Sequence, residues 1–226
     1  MVDGPWAALG SLVLGSALVP AQLVVTIALL GSPTGTRAAT AFIAGMSSVR
    51  LLQGVVFGLV IEGSGASDDP ATASTLRSSL LLAVAILLLA MAVKKLLTDE
   101  DPDAPPPAWL TRAGALKAGQ AFLAGAGLLA IAPKFWVFNL GAIAAIEEAA
   151  LARPAAVATY LVFVALTALP TAAIVAVALV APGRADRFLE RSSTWLERNN
   201  GPIVIGVGLV FGVWFLAQAL AGLSMR

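Results

Sequence analysis

Six long apolar runs, at 8–30, 38–61, 76–97, 116–146, 155–181 and 202–223, occupy most of this chain. Each has at least 22 residues, and about 20 helical residues cross a hydrocarbon core of roughly 30 Å. In lipid every backbone N–H and C=O must find its partner inside the protein, which leaves only helices or closed barrels. The runs lack the apolar/polar alternation of barrel strands. The expected fold is therefore an all-α membrane protein with six transmembrane helices. Composition agrees, with 59% hydrophobic residues, 12% charged residues and a mean hydropathy of +0.91.

Charge sets the expected orientation. The loops and span ends on one side carry Arg37, Lys94, Lys95, Arg112, Lys117, Arg184, Arg187, Arg191 and Arg198, while the other side carries Arg77, Arg153 and Arg226. Nine against three predicts that the first side is cytoplasmic. Both termini are then extracytoplasmic, in a multi-pass protein of the inner or plasma membrane. MVDGPW places no Lys or Arg ahead of the first run, so the first helix is expected to be retained rather than cleaved as a signal. In the fifth loop Phe188, Leu189, Trp195 and Leu196 recur at helical spacing. This predicts a short amphipathic helix in the cytoplasmic interface, against the alternative of a solvated loop.

The two remaining cations, Arg50 and Lys134, fall near the middle of their spans. A cation at the bilayer centre costs from about 2.5 to about 17 kcal/mol, so such residues face a bundle interior or a wet cavity. Snorkelling to an interface is the alternative, but the reach from mid-span is short. No Asp or Glu lies within a span, and Glu62, Glu147 and Glu148 sit at ends. Exposed carbonyls, water or an anionic ligand remain as partners. Ser47, Arg50, Gly54 and Gly58 lie on one helical face, and the Gly54–Gly58 pair predicts close approach of another helix there. Gly208–Gly212 repeats that spacing in the last run.

Pro20, Pro133 and Pro170 stand inside spans. Each removes its own N–H and displaces the carbonyl four residues back, those of Ser16, Leu129 and Leu166. Breaks of this kind are tolerated in lipid where they line protein or water. Pro20 is followed by Gln22 and Thr26, and Pro133 by Lys134 and Asn139. The freed carbonyls near Pro20 and Pro133 offer a place for a coupling Na⁺; no other cofactor is expected. Pro20 and Pro133 are 113 residues apart, as are Thr26 and Asn139. Three helices per half, the first of each broken at proline, predict two inverted repeats at about 8–97 and 116–223, joined by a linker at 98–115 within a single domain. Substrate sites in such folds lie near the midplane at broken helices. Arg50, Lys134, Gln22, Thr26, Gln53 and Asn139 are the candidate substrate-binding residues, with an anionic or zwitterionic ligand.

The chain has no Cys and no His. That excludes thiol redox chemistry, Cys/His metal sites and Ser–His or Cys–His nucleophiles. With no buried acid either, an enzyme is not expected, and no metal site or nucleic-acid partner is indicated.

SALVPAQLVVTIALLGSPTGTRAATAFIAGMSSVRLLQG, Ser16 to Gly54, and LLAIAPKFWVFNLGAIAAI, Leu128 to Ile146, resemble the GAP or Sap group of actinobacterial (glyco)lipid-addressing proteins. That group belongs to the LysE-type exporter superfamily. The resemblance is carried by Pro20-x-Gln22, Ser32-Pro33-x-x-x-Arg37, Arg50-Leu51-Leu52-x-Gly54 and Pro133-Lys134-x-Trp136. Where family members often have Asn-Pro-Lys, this chain has Ala132. The resemblance implies a six-helix membrane protein that assists outward movement of cell-envelope (glyco)lipid or a small anionic or zwitterionic solute. It implies membrane lipid and a larger lipid exporter as partners, and a homo-oligomer is open. An amino-acid exporter and a non-transporting accessory subunit of a larger exporter are the alternatives.

Overall fold

The computed structural model describes residues 6–17, 19–32, 34–63, 70–97, 112–180 and 199–224. Its helices are α1 (Trp6–Ala17), α2 (Pro20–Leu30), α3 (Gly35–Gly63), α4 (Pro70–Leu97), α5 (Ala118–Ile131), α6 (Pro133–Glu148), α7 (Arg153–Val180) and α8 (Asn200–Ser224). There is no strand among the described residues. The amphipathic segment around Phe188–Leu196 and most of the third loop lie outside them. So do the side chains of Pro20, Pro133 and Lys134.

Two helix pairs meet at a proline. Val19 is extended (φ −65°, ψ 111°) and Pro20 opens α2; Ala132 is extended (φ −81°, ψ 109°) and Pro133 opens α6. A proline ring clashes with a helical residue before it, and its fixed φ with no N–H suits the first helical position. The α1–α2 axes diverge by 48° and the α5–α6 axes by 69°. Pro170 behaves differently. It was expected to break its span, yet α7 runs uninterrupted through it. One proline costs a single ladder bond, here the one to Leu166 O, and packing of the rest of the helix carries it through that loss. The Thr167 and Thr171 hydroxyls on either side donate to Val164 O and Ala168 O, both at 2.8 Å, and leave Leu166 O as it is.

Among the described residues, Gly35–Val60 and Arg153–Val180 are each long and apolar enough to cross a membrane, and up to four spans result if each bent pair counts as one. Beside a core of apolar residues, the exterior is apolar too and a set of polar residues is buried. Leu52, Val55, Leu59, Ile131, Leu169, Leu179 and Val210 are exposed, while Ser16, Gln22, Thr26, Arg50, Gln53, Asn139, Thr167 and Thr171 are buried. Water would favour the opposite sorting. An apolar exterior around a polar layer fits a lipid environment.

Close packing comes from small residues, as it must where lipid removes the hydrophobic drive between helices. At the α3–α5 crossing a Cβ added to Gly45 would strike the Phe122 carbonyl, and one added to Gly125 would strike the Phe42 carbonyl. α4 and α8 make the most extensive pairing, with Gly208 against Ala92 and Gly212 against Leu89. The Gly54–Gly58 pair does not serve as expected. Gly54 accommodates the Tyr160 ring, but Gly58 has nothing within 4 Å. On α3 a neighbouring helix comes close about two and a half turns before Gly54, at Gly45, where it presents backbone.

Candidate binding site around Arg50

Arg50 sits in the middle of α3 and is 2% exposed. Its Nη1 donates to the Thr167 hydroxyl on α7, and its Nη2 donates to the Ser16 hydroxyl at the end of α1, at 2.9 Å. Three helices are thus joined by one side chain. Both acceptors are neutral hydroxyls, and Arg50 Nε has no partner among the described residues. A guanidinium has five N–H groups in a planar fork suited to carboxylate, sulfate or phosphate oxygens.

The ends of the two proline junctions are closed in the same manner. Gln22, in the first turn of α2, donates from Nε2 to the carbonyls of Ser16 (2.8 Å) and Ala17 (3.1 Å). Trp136, in the first turn of α6, donates from Nε1 to the Ala130 carbonyl at 2.9 Å. Each time, a side chain just after the proline reaches back to a carbonyl left over at the preceding helix end. The carbonyl of Ser16, freed by Pro20, is satisfied in this way.

The remaining amides meet one turn along α3 from Arg50. Asn139 Nδ2, on α6, donates to Gln53 Oε1. Gln53 is 5% exposed and Asn139 is fully buried. Gln53 Nε2, Asn139 Oδ1 and Gln22 Oε1 have no partner among the described residues. Buried polar atoms are nearly always paired, so each orphan asks for an explanation, such as water or a ligand.

Of the residues singled out from sequence, Arg50 and Gln22 therefore share Ser16, and Gln53 and Asn139 share a bond. Thr26 stands aside, because its hydroxyl donates to Gln22 O within α2 at 2.7 Å. The Lys134 side chain is outside the described parts.

Ser16, Thr167, Tyr160 and Trp136 were missed as contributors. A signal for one existed: Thr159, Thr167 and Thr171 fall on one face of α7 at multiples of four residues and are buried, with Phe163 between them on the same face. Tyr160 donates to the Arg50 carbonyl at 2.6 Å and stacks on Phe163 at 6.0 Å.

No curated protein and no solved structure matches this chain. A family match covers residues 9–221, under the description Sap, sulfolipid-1-addressing protein. That match takes in all the helices just described apart from their outermost ends, and on it the chain belongs to the Sap, sulfolipid-1-addressing protein, family.

Proposed function

We propose that the protein is a membrane transporter of LysE type that assists outward movement of a cell-envelope lipid, sulfolipid being the class its family name carries. In this reading the layer around Arg50 receives the anionic group of the substrate. The observation that carries it is a buried guanidinium held by two neutral hydroxyls. An unpaired cation in a low-dielectric interior is costly, and a bound anion offsets that cost with charge-assisted hydrogen bonds.

Six spans belong to the same reading. α4 has 28 residues and α8 has 25, about 42 and about 37 Å at 1.5 Å per residue. With each proline junction forming one broken span, they complete two inverted repeats of three. Part of the helix-contact pattern is in keeping with this: α2·α3 is matched by α6·α7, α1·α7 by α3·α5, and α2·α7 by α3·α6, and α4·α8 and α3·α7 join corresponding helices, whereas α4·α6 and α1·α6 have no extensive counterpart. Lys134, in the first turn of α6, is the second cation of the site. The membrane is the plasma membrane, with both termini outside the cytoplasm. With the Ser16, Ala17 and Ala130 carbonyls taken by Gln22 and Trp136, a coupling Na⁺ would have to use other carbonyls, and the protein carries out no catalysis.

The test is export of labelled sulfolipid from intact cells bearing Arg50→Gln or Lys134→Gln. At normal expression, a loss of tenfold or more supports the reading. Unchanged export in both variants overturns it and favours an accessory role beside a larger exporter.

A further inference from the structure

We propose that the layer around Arg50 recognises a headgroup presenting an anionic oxygen group and hydrogen-bond donors, an ammonium or two hydroxyls, side by side. This rests on the anion-binding reading above and sharpens it.

The argument is a balance of unpaired atoms. Arg50 Nε and Gln53 Nε2 are buried donors without partners, and Gln22 Oε1 and Asn139 Oδ1 are buried acceptors without partners. The balance does not depend on how the amides are turned. Gln22 faces two carbonyls, which only its NH2 group can meet, so its oxygen is always the spare atom. Gln53 and Asn139 share one bond. In either orientation that keeps it, one NH2 group and one carbonyl are left over.

These groups are contiguous. Gln22 binds the Ser16 carbonyl while Arg50 binds the Ser16 hydroxyl. Gln53 follows Arg50 by three residues on α3, on the same face, and it holds Asn139.

The balance separates ligand classes. A bare inorganic anion is acceptor-only, so it satisfies the donors and leaves two carbonyls desolvated. A neutral polyol reaches the carbonyls and gives Arg50 no counter-charge. A simple cation meets the carbonyls and repels the guanidinium. A ligand carrying an anionic group beside an ammonium, or beside two hydroxyls, satisfies both sets.

Isothermal titration of the full-length protein in detergent, at constant ionic strength, tests this with sodium sulfate, glucose 6-sulfate, taurine and glucose. Glucose 6-sulfate or taurine is expected to bind about tenfold tighter than sulfate, the worth of one to two added hydrogen bonds, and glucose much more weakly than glucose 6-sulfate. In a Gln53→Leu, Asn139→Leu double variant, sulfate binding weakens with the loss of the Gln53 donor, and the preference over sulfate shrinks to about threefold or less. Equal affinity of the wild-type protein for sulfate, glucose 6-sulfate and taurine overturns the proposal while leaving an anion site standing. Failure of every anionic probe to bind overturns the anion-site reading itself.

Discussion

The Tyr160 hydroxyl donates to the main-chain carbonyl of Arg50 at 2.6 Å and is hydrogen-bonded to the backbone of Gly54. Those two backbone groups are the i and i+4 positions that an α-helix pairs with each other. A side chain from α7 therefore reaches the backbone of α3 at the residue that carries the buried guanidinium. The Tyr160 ring occupies the space a Gly54 side chain would need. Tyr160→Phe removes the hydroxyl and should cost about 1 kcal/mol of stability. Gly54→Ala forces the ring aside and should cost about 1–3 kcal/mol. Thermal melts of the detergent-solubilised protein read both.

Arg50→Met separates a functional cation from a structural one. Burying a charge without a counter-charge is costly, and an apolar replacement of similar volume is often neutral or stabilising by about 1–4 kcal/mol. Thr167 keeps its own bond to Val164 O, and Ser16 is free to turn towards its helix. The variant should melt at or above the wild-type temperature and lose sulfate binding. A fall in melting temperature of many degrees would mark Arg50 as chiefly a structural strut.

Gly45 and Gly125 face backbone at the α3–α5 crossing, whereas Gly58 faces open space. Alanine at either of the first two should cost about 1–3 kcal/mol, because a carbonyl cannot swing away as a side-chain tip can. Gly58→Ala should be neutral or stabilising by about 0.5–1 kcal/mol through lower backbone entropy. Equal effects at all three positions would show that the crossing is looser than described.

The absence of cysteine makes topology directly measurable. Thr34 and Ala152 are exposed in the turns after α2 and α6. With single cysteines placed there in turn, a membrane-impermeant maleimide on intact cells should label Ala152→Cys and spare Thr34→Cys until the membrane is opened. The reverse pattern would invert the orientation read from the Lys and Arg distribution.

Long apolar runs made the helical class and the membrane setting legible, because span length is dictated by the bilayer and backbone satisfaction by lipid. Arg50, Gln53 and Asn139 stood out as polar residues where polarity is expensive, and they are brought together. The partners of Arg50 were harder to see. Ser16 and Thr167 are small hydroxyl residues that helices tolerate anywhere, so their meaning arises only when α1 and α7 pack on either side of α3. Pro170 misled for a related reason: a proline reports a missing hydrogen bond, and whether a helix ends there depends on packing around it. At Pro20 and Pro133 the residues just beyond, Gln22 and Trp136, complete the junctions, and the sequence alone gives no sign that a Trp will reach back six residues to a carbonyl.

The way those junctions are closed has an electrical consequence. Helix ends carry roughly half an elementary charge, negative where carbonyls are bare and positive where N–H groups are bare. Gln22 covers carbonyls at the end of α1 and Trp136 one at the end of α5, which mutes the negative poles, while α2 and α6 begin beside them with no side-chain cap on their positive poles among the described residues. Each junction thereby carries a standing positive bias built from peptide groups alone. Unlike a lysine or a histidine it cannot be titrated away, so its pull on a negative guest persists across the whole pH range in which the helices stay folded.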